Sequence, residues 1–136
     1  MRISEKSYEL IIEAQQLTSI DSLWYLTKKP SQYELPEVFA ESYERRIELF
    51  ILILEALIER RDICLTNSNR VESTDSRNEQ LNKFKNAFPS EVRMKEIEHY
   101  WWYLDECPFR LVWLLDEDIP GWSLPYKDGK YYYRTS

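Results

Sequence analysis

The sequence predicts an α+β domain: a predominantly helical N-terminal two-thirds, with four to five helices around a long central one, and a small antiparallel sheet formed mainly by the C-terminal third. Three observations carry this reading. Apolar residues recur at steps of three and four from Phe39 to Ile58, the period of a helix that buries one face. The run Leu111–Leu115 is apolar at consecutive positions and follows Pro108, which disfavours helix at Cys107 and separates the two halves of the stretch YWWYLDECPFRLVWLL at residues 100–115. Asp128-Gly129, between short aromatic segments, is the dipeptide of a tight hairpin. With 136 residues, 43% hydrophobic and 15% aromatic, the chain can bury one core and is read as a single domain over 1–136.

Ser4 is placed to cap a first helix over Ser4–Thr18, with Tyr8, Ile11, Ile12 and Leu17 on its apolar stripe. Ser19 or Asp21 caps a short second helix that ends in Lys28, Lys29 and Pro30. Pro30–Leu35 connects, and Pro36 suits the first position of the long helix, whose opening turns hold Glu37 and Glu41 and whose end holds Arg60 and Arg61. Ile63, Cys64 and Leu65 form a short strand closed by the turn residues Thr66–Asn69. Ser73, Thr74 and Asp75 offer caps for a helix through Leu81, Phe84, Ala87 and Phe88, stopped by Pro89, and Ser90–Glu98 adds a further helical turn. After the strand Leu111–Leu115 come an acidic turn at 116–121, a returning strand at Trp122–Leu124, and Tyr131–Tyr133 as a last edge strand ending in Arg134.

Composition excludes several function classes. Glycine occurs only at 121 and 129, so no glycine-rich phosphate cradle can be built. Charged residues through the first thirty positions leave no apolar core for a signal peptide, and the apolar run Leu49–Leu54 is far short of a membrane span; a cytoplasmic protein is expected. Cys64 and Cys107 are too few for a disulfide framework and form no CxxC pair for zinc; both are read as buried thiols. No cofactor and no metal are expected. The net charge of −6 comes mainly from two segments, residues 30–62 and 100–120, which disfavours nucleic acid and favours a basic protein partner.

Each candidate site has a plainer reading. His99, the only histidine, lacks a nucleophile and an orienting acid in register, so it is read as structural, and no enzyme is expected. Asp105, Glu106, Asp116, Glu117 and Asp118 flank the strand Leu111–Leu115; paired carboxylates can hold magnesium, but this spacing matches no calcium loop and fits an acidic docking surface better. Glu41, Glu44 and Glu48 on the long helix come second. Lys127, Lys130, Tyr131–Tyr133 and Arg134 mix cations with rings as single-strand binders do, but the overall acidity favours a charged strand end. Trp101, Trp102 and Trp113 are read mainly as core, with some tryptophans left as anchors for a partner.

The run LNKFKNAFP at 81–89, the stretch YWWYLDECPFRLVWLL and Trp122 together resemble the bacterial "domain of unknown function 596" family. The shared features are a helix ending in Phe-Pro, an aromatic pair, Glu-Cys-Pro, an apolar strand containing Trp, and an acidic turn before another Trp. They cover about the C-terminal half. The chain departs from the pattern at Arg110, where a small residue is expected, and in its tyrosine-rich tail. The family offers no established catalytic residues. The resemblance implies an immunity-like protein encoded beside a polymorphic or contact-dependent toxin. The first reading is accordingly a protein that binds and neutralises a cognate toxin domain such as a nuclease, with no direct contact to nucleic acid or membrane; the oligomeric state is left open, a monomer being slightly favoured. The alternative is a small adaptor or regulatory interaction domain, homodimeric in one version.

Overall fold

A computed structural model of the protein describes residues 2–98 and 100–133. Five α-helices, α1 (Glu5–Gln15), α2 (Ile20–Leu26), α3 (Tyr43–Glu59), α4 (Arg77–Ala87) and α5 (Glu91–Glu96), accompany four strands, β1 (Ile63–Thr66), β2 (Arg110–Leu115), β3 (Ser123–Pro125) and β4 (Tyr131–Tyr133). Every neighbouring pair in the sheet is antiparallel, so the α+β class is as the sequence predicts. None of the helices is long and apolar enough to cross a membrane.

The helix starts follow local chemistry. Ser4, Ser42, Ser76 and Ser90 each accept, through the side-chain hydroxyl, the backbone N–H three residues on, at 3.1–3.2 Å. This corrects two expectations. The long helix does not begin at Pro36: residues Glu37–Ala40 form a 3-10 turn, and α3 starts afresh after the cap at Ser42. The cap of α4 is Ser76 rather than Ser73, Thr74 or Asp75, and with Glu79 it has the capping-box spacing. The first helix stops at Gln15, because Leu17 takes a left-handed φ of 69° in the turn to α2.

At 17 residues α3 is about 25 Å long, and Leu49, Phe50, Ile53, Leu54 and Leu57 are fully buried along it. Around its middle the aromatics close into one cluster. Trp101 and Phe88 have ring centroids 4.8 Å apart, Trp101 and Trp102 4.9 Å, and Phe50 and Trp102 5.3 Å, with Trp24 and Phe84 packed on the same rings. Each ring removed from water contributes about 1.5–3 kcal/mol, so this cluster is a principal source of stability.

The sheet order is β1-β2-β4-β3. Tyr131–Tyr133 is therefore not an edge strand. It lies inside the sheet, paired with β2 through Leu114↔Tyr132 and with β3 through Leu124↔Tyr132, and β3 takes the edge. The hairpin that places it turns on Asp128 and Gly129, both with positive φ (60° and 74°), the conformation the Asp-Gly pair favours. Arg134 and His99 lie outside the described residues.

Candidate functional site

The eight acids singled out in the sequence are all exposed, and the fold separates them into two groups. Arg93 of α5 makes a two-pronged ion pair with Glu106. α5 begins just after Pro89, whose carbonyl accepts the Tyr43 hydroxyl at 2.8 Å at the start of α3. Asp105 and Glu106 thus belong to the same end of the molecule as Glu41 and Glu44. Glu48, one turn further along α3, is 3.8 Å from Arg45.

Asp116, Glu117 and Asp118 belong to the opposite end. The strand they follow is tied to the far end of α3, since the Leu114 N–H donates to the Asp62 carbonyl at 2.9 Å, and Arg61 pairs at 3.1 Å with Asp128 of the β3–β4 hairpin. The length of α3 separates the two groups, and no cluster among the described residues could hold a metal ion.

The turn at 116–122 is fixed from within. The Ser123 hydroxyl, buried, donates to the Asp118 carboxylate at 2.7 Å and accepts the Ile119 N–H at 2.7 Å. The Trp122 N–H closes back on the Ile119 carbonyl at 2.9 Å, and Lys130 holds Asp116 at 2.7 Å. Gly121, with φ +84°, allows the chain to reverse into β3. The turn presents Trp122 to solvent at 58% exposure, its ring stacked on Tyr133 at 6.3 Å and 10° between planes. A large exposed ring and three exposed carboxylates are thus carried on one turn.

The tryptophans divide accordingly. Trp101, Trp102 and Trp113 are at most 2% exposed and belong to the core, and Trp122 is the exposed one. A second exposed aromatic pair, Tyr100 and Tyr103, comes from the same 3-10 turn as the buried tryptophans, with centroids 5.9 Å apart. Side chains three apart eclipse in a 3-10 helix, so the outer tyrosines share the solvent side while Trp101 and Trp102 turn inward. The signal was present in YWWY, but reading it requires knowing that the turn is 3-10.

Two polar clusters flank the sheet. The Tyr126 hydroxyl donates to Glu72, which Lys127 also reaches at 3.0 Å. Burial pushes the Glu72 carboxyl up, but these two partners outweigh it and leave it below the usual range; burial and the Glu72 bond push the Tyr126 phenol well above its ordinary value. At the other cluster the Tyr8 hydroxyl donates to Asp62 and the Arg60 guanidinium lies 4.0 Å over the Tyr8 ring, clamping α1 to the end of α3. Burial raises both thiols, Cys64 and Cys107, to about 11, which makes them poor nucleophiles at neutral pH.

Comparison with curated proteins and with solved structures returns no match. Against protein-family models, residues 58–133 match a protein of unknown function, DUF596. The matched segment runs from the end of α3 through β4 and takes in Asp105, Glu106 and the whole 116–122 turn, while Glu41, Glu44 and Glu48 precede it. Since the match spans more than half of the chain, the protein belongs to the DUF596 family of proteins of unknown function.

Proposed function

We propose that the protein is a bacterial immunity protein that acts in the cytoplasm, binding and neutralising a cognate toxin domain by protein–protein contact. The observation that carries this reading is Trp122, exposed, stacked on Tyr133 and carried on the same Ser123-fixed turn as Asp116, Glu117 and Asp118. Exposed tryptophan is the side chain most enriched among binding hot spots, and a preorganised turn loses little entropy on docking. The carboxylates complement a basic surface, such as the phosphate-binding site of a nuclease, and would speed encounter with it. Asp105 and Glu106 with Glu41, Glu44 and Glu48 lie toward the other end of α3, away from a compact contact centred on Trp122. The primary contact is therefore assigned to the 116–122 turn.

Co-expression with the toxin-like domain encoded by an adjacent gene, followed by calorimetry on the two purified chains, tests this. Rescue of growth and direct binding are expected. Trp122→Ala should weaken binding by more than about 30-fold, as loss of a hot-spot residue does, and neutralising Asp116, Glu117 and Asp118 together should slow association and reduce its salt dependence. Absence of both rescue and binding overturns the reading. A concentration-dependent homodimer seated on Trp122 would replace it with the adaptor alternative.

A further inference from the structure

We propose, on the immunity reading above, that Glu117 is the specificity-determining residue of the 116–122 turn and pairs with one lysine or arginine side chain of the partner. The three acids of the turn are all exposed, but they are not equally available. The Asp116 carboxylate is held at 2.7 Å by Lys130, whose side chain is only 16% exposed, so a cation already sits on it. The Asp118 carboxylate accepts the Ser123 hydroxyl at 2.7 Å, and the same hydroxyl oxygen accepts the Ile119 N–H at 2.7 Å. Drawing Asp118 toward a partner would loosen the bonds that shape the turn. Glu117, between the two in sequence, makes no hydrogen bond or ion pair among the described residues. It gives up only hydration when it meets a new cation, with no internal bond to break.

The backbone beside the turn favours contact through side chains. Among the described residues β3 is the edge of the sheet, and an edge strand recruits a partner strand through a row of free N–H and C=O groups. Here that row is broken. Pro125 has no N–H, and the Ser123 N–H donates to the Ile119 carbonyl at 3.0 Å. Strand addition at β3 is therefore disfavoured. Trp122, 58% exposed, supplies apolar contact that many partners could use. One unpaired carboxylate on the same turn adds discrimination, because a partner that sets an apolar or acidic group against it leaves a charge stripped of water and unpaired.

The unmodified chain, Glu117→Gln and Asp116→Asn are compared against the purified toxin-like domain encoded by the adjacent gene, with association and dissociation rates measured separately. Both substitutions remove one negative charge, so both should slow association to a similar extent. Only Glu117→Gln should speed dissociation, by about tenfold or more, the scale of one charge-assisted hydrogen bond. Asp116→Asn should leave the dissociation rate within about twofold of the unmodified chain, as expected of a charge that acts only through its field. Glu117 is exposed and without internal partners, so Glu117→Gln should keep the urea midpoint of the unmodified chain, which serves as the folding control. If Glu117→Gln dissociates at the unmodified rate, or Asp116→Asn dissociates as fast as Glu117→Gln, the role of Glu117 is overturned while the immunity reading stands. If the unmodified chain does not bind the domain at all, both are overturned.

Discussion

The Trp113 indole nitrogen donates to the Thr18 carbonyl at 2.8 Å, joining the middle of β2 to the turn between α1 and α2 across 95 positions of sequence. Leu17, beside Thr18, has a left-handed backbone, so this bond secures a turn that local preference alone would not hold. Trp113→Phe leaves the carbonyl without its donor and opens space under the sheet. It should destabilise the protein by about 2–4 kcal/mol, read from the urea midpoint.

The serine caps are not equivalent. Ser42 accepts the Arg45 N–H at 3.1 Å, whereas the Ser19 hydroxyl is turned to the Asp21 side chain and makes no cap bond to the α2 backbone. Ser42→Ala should cost about 1 kcal/mol and Ser19→Ala clearly less, with unchanged denaturant slopes in both.

Cys64 and Cys107 are buried, with thiols raised to about 11. At pH 8 only about one thiol in a thousand is ionised at that value. Iodoacetamide should leave both unlabelled in the native protein and modify both in urea, as mass spectrometry will show; rapid native labelling of either would place it outside the core.

Glu72 connects acid stability to the Tyr126 corner. Burial raises its carboxyl, but Tyr126 and Lys127, with Arg61 nearby, outweigh this and hold it below its unfolded value. The stability it contributes is fully present above the ordinary carboxylate range and is lost as pH falls through the depressed folded value. Glu72→Gln should therefore be less stable than the unmodified protein at pH 7, and the gap should close as pH is lowered toward 3. A constant gap across thermal melts at several pH values would show that the ionised form is not what matters.

What the sequence determined by itself is what local chemistry governs. The cap at Ser4, the period of α3, the break at Pro108, the apolar strand after it and the Asp128-Gly129 turn each depend on residues within a few positions of one another. The acidic turn before Trp122 was legible for the same reason. Where local signals competed the sequence was ambiguous. Pro36 and Ser42 are both acceptable helix starts, and α3 begins at Ser42, with a 3-10 turn between them.

The tertiary structure decided which strand is covered and which tryptophan is free. A triple tyrosine near the chain end reads equally well as an edge or an interior strand, because strand order depends on pairing with β2, which begins some twenty positions earlier. Trp113 and Trp122 both neighbour apolar residues in sequence. One lies under the helices, hydrogen-bonded to Thr18, and the other is held in solvent on the face of Tyr133. Burial is set by what packs on a side chain from distant parts of the chain, and for the same reason eight acids that are scattered in sequence separate here into two groups at opposite ends of one helix.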